Sequence, residues 1–376
     1  MPDIQGRPTV AEVSVAALRH NCRRARDLVA PGVAVLAVVK ADGYGHGAVP
    51  AARAFLEAGA WGLGVSSVAE AVPLRGAGIT HTIVVLGGSF AGEEEAIVAH
   101  ELHVGLWDVD RARALDAAAR AAGRVVHIHL KVDTGMTRLG LDADAVAPFA
   151  ELVRSFPGLE IAGVFSHFAS ADAVETADAR AQTTRFQRAV DALAAVGVRP
   201  SHVHLANSAG VLAAPHAHFT MVRPGIMLYG YPPAPHLAER AGVRAAMRFR
   251  TAITQTRRVP IGRAVSYAGT FVTTRPSTIA TLPVGYADGY HRLGSNRAQA
   301  VVRGRRAPVA GRVCMDHTML DVTDVPDVRA GDPVVLFGPE LGADELGGWA
   351  ETISYEVLTS VGKRVPRTYV EEFGDA

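Results

Sequence analysis

The sequence has little cysteine and no long apolar run. Its two cysteines, Cys22 and Cys314, cannot build a disulfide framework, and no C-x-x-C metal-ligand spacing is present. A reducing compartment is the simpler interpretation. No stretch approaches the roughly 18 apolar residues of a membrane span, and the segment MPDIQGRPTVAEV lacks the apolar core of a signal peptide. We therefore expect a globular, cytoplasmic protein with no membrane partner.

The sequence also lacks an excess of either charge. It has 38 lysines and arginines against 37 aspartates and glutamates, which gives a net charge of +1. Nucleic-acid binding over a broad face requires clustered positive charge, so nucleic acid is not an expected partner. With 376 residues, the chain is long enough for two or three domains and a large apolar core.

Lysine is nearly absent. It occurs only at Lys40, Lys131 and Lys363, against 35 arginines. Because arginine stays protonated in proteins, a position that must present a neutral amine for imine or carbamate chemistry is closed to it. Lys363 lies beside other cations in VGKRVPR, and we interpret it as an ordinary surface charge. Lys40 and Lys131 are candidates for chemistry.

The first part of the chain alternates short apolar runs with helix-like segments, which predicts an α/β fold. The eight candidate strands are 33–39, 61–65, 82–86, 103–106, 125–132, 159–165, 202–205 and 221–223. Helices are expected over 48–58, 109–122 and 176–196, and from Ser67, whose spacing to Glu70 is that of a capping box. Eight such units favour a closed (β/α)8 TIM-like barrel, with an open doubly wound sheet as the alternative.

A change of character follows the Pro-rich stretch 231–235, which we interpret as a linker. Beyond it the chain is rich in Val, Thr, Gly and Pro. Turn signals separate extended runs, and one helix-like piece is expected; the runs are 278–283, 298–302 and 333–337, and the helical piece is near 345–353. The prediction is a barrel domain over residues 1–240 and a mainly β C-terminal domain over residues 241–376.

Lys40 stands at the carboxyl end of the first apolar run, in VLAVVKADGYGHG. In a barrel this end faces the active-site mouth, where burial lowers the pKa of a lysine and frees its amine to form a Schiff base. A phosphate-binding P-loop is disfavoured because Lys40 precedes the glycines, and the spacing G-x-G-x-G is not a Rossmann fingerprint. A lysine that only carries its charge from a strand end to solvent is the other alternative, which the scarcity of lysine disfavours.

The chain resembles the alanine racemases, which are pyridoxal 5′-phosphate (PLP) enzymes with a barrel and a C-terminal β domain. The resemblance runs from Arg7 to Arg367 and rests on motifs in the same order. They are VVKADGYGHG (38–47), KVDTGMTRLG (131–140), SHFASAD (166–172), HLANSAG (204–210), VRPGIMLYG (222–230), VSYAGTF (265–271), LPVGYADGY (282–290), GRVCMDHTMLD (311–321) and ISYE (353–356).

The resemblance implies two catalytic residues. Lys40 matches the lysine that holds PLP and acts as a base on one face of the substrate α-carbon. Tyr267 matches the acid and base on the opposite face, contributed by the second subunit of a homodimer with shared active sites. Ala268 replaces the glycine that follows this tyrosine in the family. Without the resemblance, a tyrosine in a β segment is more often a packing residue.

The resemblance also implies the cofactor contacts. Arg223 matches an arginine that faces the pyridine nitrogen, and His167 orients it, with a simple core histidine as the alternative. A guanidinium donates to the ring nitrogen without protonating it, which makes the ring a weaker electron sink. The remaining matches lie near the cofactor phosphate; they are Asn207, Ser208, Gly225, Ile226, Tyr44 and Tyr355. For Asn207, helix capping is the alternative.

Substrate contacts follow from the same resemblance. Arg138 matches the arginine that receives the substrate carboxylate, assisted by the backbone of Met315 from the other subunit. Lys131 matches a lysine that is carbamylated in many members and holds that arginine. Tyr286 and Asp316 match residues of a narrow entry channel that favours an alanine-sized side chain. The implied reaction interconverts L- and D-alanine and supplies D-alanine for peptidoglycan.

Four other functions are alternatives to this one. A broader-specificity racemase of the same fold is the nearest alternative. A PLP-dependent decarboxylase of basic amino acids would need a carboxylate in place of Arg223 at the ring nitrogen. A lone PLP-carrier barrel leaves the β domain unexplained. A metal-dependent barrel is suggested by the pairs His127/His129 and His202/His204, each on one strand face, but no third ligand with suitable spacing is evident, so no metal is expected.

Overall fold

The computed structural model describes residues 6–175 and 177–374. Its strands, numbered in chain order, are β1 (Val10–Ser14), β2 (Ala34–Val38), β3 (Gly62–Val65), β4 (Thr82–Val85), β5 (His103–Leu106), β6 (Val126–Asp133), β7 (Leu141–Asp142), β8 (Leu159–Phe165), β9 (His202–His204), β10 (Met221–Val222), β11 (Met247–Ala252), β12 (Gln255–Val259), β13 (Ala264–Val265), β14 (Phe271–Val272), β15 (Ser277–Leu282), β16 (Gln299–Val302), β17 (Arg305–Pro308), β18 (Thr318–Asp321), β19 (Pro333–Phe337) and β20 (Arg367–Val370).

The helices, numbered in the same way, are α1 (Val15–Asp27), α2 (Lys40–Tyr44), α3 (Ala48–Glu57), α4 (Val68–Gly76), α5 (Glu94–Ala99), α6 (Val109–Ala121), α7 (Val146–Val153), α8 (Ala177–Ala195), α9 (Ser208–Ala213), α10 (Ala238–Ala241), α11 (Ala343–Trp349) and α12 (Ser354–Ser360). Short 3-10 turns occupy Ala143–Ala145, Pro215–Ala217, Ile226–Tyr229, Pro235–Leu237, Tyr267–Gly269, Tyr286–Asp288 and Arg292–Gly294. Among the described residues, no helix is both long and apolar enough to cross a membrane.

Residues 18–43 and 48–243 form one compact unit, which contains a closed parallel barrel. The strands follow the order β5-β4-β3-β2-β10-β9-β8-β6, and β5 also pairs with β6, which closes the ring. The predicted (β/α)8 barrel is therefore confirmed, and the open doubly wound sheet is wrong. All eight predicted strands are present, and each begins and ends within one residue of its predicted bounds. The short β7 adds to the rim beside β6.

Some barrel strands, β2 and β3 among them, are apolar on both faces. Residues 35–38 of β2 and all of β3 are buried. A parallel strand covered by helices on one side and by the barrel interior on the other is expected to be apolar throughout. The helices at 48–58 and 109–122 are confirmed as α3 and α6, and Asp108 caps α6 by accepting from the Arg111 amide. The helix at 176–196 is confirmed as α8, although its first predicted residue, Thr176, lies outside the described residues.

The predicted capping box at Ser67 and Glu70 is wrong. Ser67 does precede α4, but its side chain makes no capping bond. Glu70 instead accepts hydrogen bonds from the backbone amides of Ser66, at 2.7 Å, and Ala41, at 2.8 Å. The carboxylate binds there because the Ala41 amide, in the turn that follows Lys40, has no helical carbonyl as its acceptor.

Residues 6–17, 44–47 and 244–374 form the second compact unit, which is mainly β. Its largest sheet has the order β17-β16-β19-β11-β1-β20, so the N-terminal β1 lies between two C-terminal strands. The predicted boundaries, 1–240 and 241–376, differ from these units, which divide the chain between Val243 and Arg244 and group β1 with the C-terminal strands. Residues 1–5 and 375–376 of the predicted domains lie outside the described residues.

The β character of the C-terminal region is confirmed, but its helix content is higher than predicted. The runs at 278–283, 298–302 and 333–337 correspond to β15, β16 and β19. The helix near 345–353 corresponds to α11, which ends at Trp349, and a second helix, α12, follows at once. The Pro-rich stretch 231–235 is irregular up to the 3-10 turn Pro235–Leu237.

Candidate active site

Lys40 begins a left-handed turn at the carboxyl end of β2. Ala41, Asp42, Gly43 and Tyr44 all have φ between 51° and 60°. Left-handed backbone costs a residue other than glycine roughly 1–2 kcal/mol, so a run of this kind requires strong local support. Hydrogen bonds supply it: the Gly43 amide donates to the carbonyl of Val39 at 2.8 Å, and the Asp42 carboxylate accepts from the Ala48 amide at 2.7 Å. The turn fixes the backbone that carries the Lys40 amine.

The Lys40 amine is solvent-accessible and has no hydrogen-bond partner among the described residues. Nearby protein atoms nevertheless remove part of its hydration, which lowers the pKa of Lys40; the positive charge of Arg138 lowers it further, and Glu70 opposes both effects. A lysine with a lowered pKa presents more of the neutral amine that imine chemistry needs. Glu70 therefore serves this site twice, by holding the Ala41 amide and by its charge.

Lys131 is buried near the end of β6. Its Nζ donates to the Val132 carbonyl at 3.2 Å and lies 5.1 Å from the centre of the Phe165 ring. Burial lowers the pKa of Lys131 to about 7, Arg223 and Arg138 lower it as well, and Asp133 opposes them. At neutral pH a large fraction of this amine is therefore uncharged.

The loop after β6 positions Arg138. The Asp133 carboxylate accepts from the amides of Gly135, Met136 and Thr137, at 2.9, 3.0 and 3.1 Å. These bonds lower the pKa of Asp133 against the opposing effect of its desolvation. Arg138 is exposed and, in the described part of the chain, has neither a hydrogen bond nor an ion pair. A guanidinium held in this way is available to bind a carboxylate in bidentate fashion.

Arg223 follows β10 and is buried, with 3% of its surface exposed. Its Nη1 donates to the carbonyl and to Nδ1 of His204, at 2.8 and 3.0 Å. Its Nη2 donates to the Ser166 carbonyl at 2.5 Å and lies 3.3 Å from Nδ1 of His167 and from the Leu205 carbonyl. Burial lowers the pKa of Arg223 to about 9, so the guanidinium stays protonated at neutral pH. Its Nε has no acceptor among the residues described.

His167 was predicted to orient Arg223, and the two side chains are in contact at that 3.3 Å distance. Burial and the charge of Arg223 lower the pKa of His167 well below its usual range. The ring is therefore neutral, and its Nδ1 can accept from the guanidinium. His204 and the Ser166 carbonyl lie closer to Arg223 than His167 does, and neither was predicted for this role.

Ser208, Gly225 and Ile226 come together at the starts of α9 and of the turn Ile226–Tyr229. Ser208 Oγ accepts from the Gly225 amide at 2.9 Å, and Asn207 caps α9 by accepting from the Gly210 amide at 3.0 Å. The contact that the Asn207 side chain makes is therefore a helix cap, which is the alternative given above. Over residues 6–175 and 177–374, the amides of Ser208 and Ile226 have no acceptor. Such amides at helix starts suit an anion.

In the second unit, Tyr267 begins a strained turn. It is 71% exposed and stands between Ser266, with φ 65°, and Ala268, with φ 60°. Ser266 Oγ donates to the Arg312 carbonyl at 2.7 Å, and Gly311 leaves no room for a Cβ, which would lie 2.6 Å from the Val265 carbonyl oxygen. The turn therefore presents the Tyr267 phenol outward on a backbone that neighbouring residues hold in place.

Tyr286, Met315 and Asp316 lie on two adjoining segments of the same unit. The Tyr286 amide donates to the Cys314 carbonyl at 3.0 Å, and a Cβ on Gly285 would lie 2.4 Å from the Met315 carbonyl oxygen. Tyr286 is 42% exposed and Met315 53% exposed. The segments therefore pack backbone to backbone and leave both side chains accessible.

A network of ion pairs joins these two segments to each other. Asp288 is fully buried and accepts from Arg7 and from Arg364, whose Nε is 2.7 Å away. The same arginine donates to Asp316 at 2.8 Å. The two arginines lower the pKa of Asp288 against its desolvation. Asp288 and Arg364 were not predicted as site residues, although the match at LPVGYADGY contains the first of them.

Tyr44 and Tyr355 also meet in this unit, with ring centres 6.2 Å apart. Tyr44 is buried, which raises the pKa of its phenol, and Tyr355 adds to the effect. The Tyr44 phenol therefore remains protonated at neutral pH and can donate a hydrogen bond. Their predicted role toward a phosphate stays a prediction.

The chain was compared with protein families and with known proteins. The family "Alanine racemase, N-terminal domain" matches residues 13–233, and the family "Alanine racemase, C-terminal domain" matches residues 246–369. Alanine racemase from Symbiobacterium thermophilum is 46% identical over 372 residues, covering 98% of each chain. The relative of the same name from Desulfovibrio desulfuricans is 44% identical over 366 residues, covering 97% of this chain and 99% of the relative.

Solved structures agree with these matches. The crystal structure of alanine racemase from Streptomyces lavendulae has a TM-score of 0.94 and 36% identity, and covers 98% of each chain. The biosynthetic alanine racemase from Pseudomonas aeruginosa has a TM-score of 0.88 and 38% identity, covering 97% of this chain and 100% of that one.

Proposed function

The chain belongs to the alanine racemase family, whose members are PLP-dependent isomerases, and on that premise we propose that it interconverts L- and D-alanine with Lys40 and Tyr267 as its two catalytic residues. The observation that carries the proposal is the Lys40 amine. It is accessible and unbonded, its pKa is lowered, and a rigid turn holds it at the carboxyl end of a barrel strand. Barrel enzymes place their catalytic groups at this end. The product would supply D-alanine for peptidoglycan.

The residues present fit PLP. Lys40 offers an amine to an aldehyde, the amides of Ser208 and Ile226 are without acceptors in the described structure, and Arg223 retains only Nε as an unused donor. Ser208, Gly225 and Ile226 would hold the phosphate together with Tyr44 and Tyr355, while Arg223 would donate to the ring nitrogen. When bound, PLP supplies a carbonyl that condenses with amines and a ring that withdraws electrons from the substrate α-carbon.

The two catalytic residues differ in how they carry a proton. Desolvation lowers the pKa of Lys40, which favours the neutral amine that takes the α-proton. Tyr267 would donate a proton from its phenol to the opposite face of the α-carbon, or take one there as a phenolate. Racemisation requires both functions on opposite faces of the α-carbon. The reverse reaction exchanges the two roles.

The substrate carboxylate would be received by Arg138, assisted by the Met315 backbone. Arg138 has no acceptor among the residues that the structure describes, and the Asp133 loop fixes the backbone beside it. Tyr286 and Asp316 would line the entry and limit the side chain to the size of alanine. A racemase of broader specificity is the alternative if this entry admits larger side chains.

We propose a homodimer in which Tyr267 and Met315 of one subunit complete the active site of the other. The support is the exposure of both side chains, 71% and 53%, on rigid backbone. Large side chains that are exposed together and held in place are typical of a binding surface. The balanced charge and low cysteine content also support a cytoplasmic location without a nucleic-acid partner.

The test uses purified full-length chain supplied with PLP and L-alanine. Formation of D-alanine, followed by chiral chromatography, and loss of both activity and cofactor absorbance in Lys40→Ala are the expected results. A panel of other L-amino acids should react far more slowly. Wild-type protein that binds PLP but leaves L-alanine unchanged would overturn the proposed activity.

The role of Tyr267 requires a separate measurement. Tyr267→Phe should still bind PLP and should lose proton exchange with deuterated water from one enantiomer of alanine while retaining it from the other. Tyr290→Phe is the control, because Tyr290 is a fully buried phenol of the same unit. Equal exchange from both enantiomers in Tyr267→Phe would show that another residue is the second base.

A further inference from the structure

A chain of histidines crosses the barrel interior to Arg223. The rings belong to His103 at the start of β5, His129 in the middle of β6 and His204 at the end of β9. His103 Nδ1 lies 3.1 Å from His129 Nε2, and His129 Nδ1 lies 2.9 Å from His204 Nε2. His204 Nδ1 lies 3.0 Å from Arg223 Nη1. Consecutive groups are therefore within hydrogen-bond distance from the beginning of one strand to the carboxyl end of the barrel.

Arg223 determines which ring nitrogen of each histidine carries a proton. A guanidinium only donates, so His204 Nδ1 must accept, and the proton of the neutral ring is on Nε2. That proton points at His129 Nδ1, which must therefore accept and leave the His129 proton on Nε2. The same reasoning places the proton of His103 on Nε2. One fixed donor thus specifies three tautomers in series.

Burial keeps the rings in this uncharged form. His129 and His204 have no exposed surface, and burial is the main cause that lowers their pKa values well below the usual range. Burial also lowers the pKa of His103 to about 3, and His127 and His202 add to the effect. Each neutral imidazole has one donor and one acceptor. All the hydrogen bonds of the series therefore form together only when every ring accepts through Nδ1 and His129 and His204 donate through Nε2.

The barrel is built around the central ring. His129 pairs across the β6–β8 ladder with Gly163, where a Cβ would lie 2.1 Å from His129 Nδ1. Any side chain at position 163 would displace the ring, so this glycine provides the space in which it sits. His202 stacks parallel to His129 at 6.0 Å without joining the hydrogen-bond series.

We infer that His129 and His103 are positioning residues for the racemase reaction: they fix the tautomer of His204 and thereby hold the Arg223 guanidinium in the orientation that leaves its Nε free. The inference rests on the proposed role of Arg223 at the cofactor ring. A fixed guanidinium keeps the hydrogen bond to the ring nitrogen, and with it the electron-withdrawing strength of the ring, constant through the reaction. Neither histidine touches the substrate.

The direct test measures tautomers in full-length protein labelled with ¹⁵N-histidine, with and without PLP. Long-range ¹H–¹⁵N correlation spectra distinguish the two neutral tautomers from the imidazolium, and single variants assign the rings. His103, His129 and His204 should all carry their proton on Nε2 at neutral pH. A proton on Nδ1 of any of the three, or a charged ring, would overturn the inference. Because this measurement needs no turnover, it is independent of the proposed function.

Variants separate positioning from packing. His129→Leu removes the acceptor for His204, and we expect a mixed His204 tautomer, a shifted absorbance of the bound cofactor and a kcat lower by about five- to tenfold with KM unchanged. His129→Asn restores an acceptor near the position of Nδ1 and should restore the His204 tautomer and most of kcat. His202→Asn, at the same level of the barrel and outside the series, is the matched control.

If His129→Leu does not fold, His103→Leu provides the second test. This variant leaves Nε2 of His129 without an acceptor at the half-buried end of the series, so the tautomers of His129 and His204 should both become mixed. The inference fails if the His204 tautomer and kcat are unchanged in the folded variants, or if His202→Asn loses as much kcat as they do.

Discussion

Ala268 has a backbone conformation that alanine rarely adopts. Its φ of 60° lies in the left-handed region, where a Cβ is strained and glycine is not. The family resemblance has glycine here, and the structure gives the physical reason for that preference. The residue follows Tyr267 directly, so the strain lies in the turn that carries the proposed second base.

We therefore expect Ala268→Gly to stabilise the protein. Relief of the left-handed strain, reduced by the greater freedom of glycine in the unfolded chain, leaves a gain of about 0.5–1 kcal/mol. Chemical denaturation of wild type and variant measures it. Ala264→Gly is the control, because Ala264 is an exposed strand residue of the same unit without positive φ and should lose stability. A loss of similar size in both variants would contradict the prediction.

Lys131 should react with carbon dioxide above neutral pH. Its pKa of about 7 means that the amine is mostly neutral above that value and protonated below it. The neutral amine forms a carbamate, whose negative charge would pair with Arg138. With ¹³C-bicarbonate, a carbamate signal in the ¹³C spectrum is expected at about pH 8 and not at about pH 5.5.

Two lysine variants test this assignment. Lys131→Arg should abolish the carbamate signal because a guanidinium stays protonated, while Lys363→Arg should retain it. Activity should rise with bicarbonate in wild type and in Lys363→Arg only. A signal that survives in Lys131→Arg would assign the carbamate to another amine.

Single residues were predictable where composition or motif made them unusual. Lys40 and Lys131 were found from the scarcity of lysine, and the structure gives both lowered pKa values. The prediction for Glu70 was wrong. Its spacing to Ser67 indicates a capping box, whereas its carboxylate accepts from the Ala41 amide in the turn after Lys40. The Ser166 carbonyl that holds Arg223 has no side-chain signal at all, because backbone direction depends on the strand register.

At the scale of elements, the Glu70 carboxylate joins the left-handed turn of α2 to α4. Glu70 satisfies the amides of Ala41 and Ser66 together. A hydrogen bond to a charged group contributes about 1.5–3 kcal/mol, which is comparable with the strain of one or two left-handed residues. The turn and the helix that carries Glu70 are therefore coupled.

Glu70→Ala should weaken PLP binding about tenfold, because the Lys40 turn must then be ordered by the cofactor itself. Titration of apoprotein with PLP, followed by absorbance, measures the affinity. Glu95→Ala is the control, since Glu95 is also in the first turn of a barrel helix and its side chain makes no hydrogen bond or ion pair with the described residues. Equal affinity in both variants would show that the turn is stable without Glu70.

Strands were more predictable than helix ends and short helices. Barrel strands such as AVLAV in β2 and TIVV in β4 are short, mostly apolar runs, and burial on both faces produces that pattern. The short α12 escaped detection because SYEVLTS is only seven residues long and follows α11 closely. Local sequence specifies a seven-residue helix weakly, since most of its stability comes from packing.

At the scale of the whole molecule, the proposed homodimer makes a quantitative prediction. Lys40→Ala and Tyr267→Phe should each be inactive in their own homodimers. Mixing them under conditions that exchange subunits should give hybrid dimers in which one of the two sites carries both wild-type residues. Activity should then recover to about a quarter of wild type for random pairing.

The matched control mixes Lys40→Ala with the double variant carrying Lys40→Ala and Tyr267→Phe, which leaves no complete site. Sedimentation of wild type should show a dimer. If subunits exchange and the first mixture still shows no activity, both catalytic residues of a site come from the same chain. The shared-site proposal would then be wrong.

The sheet that contains β1 can be completed only after β20 has been synthesised. β1 is made before the barrel strands, and its neighbours β11 and β20 are made after them. At about 5–20 residues per second, the interval before β20 emerges is roughly 20–70 seconds. Both edges of β1 stay unpaired until β11 emerges, and one edge stays unpaired until β20 emerges, so chaperone binding to this strand is expected during the interval.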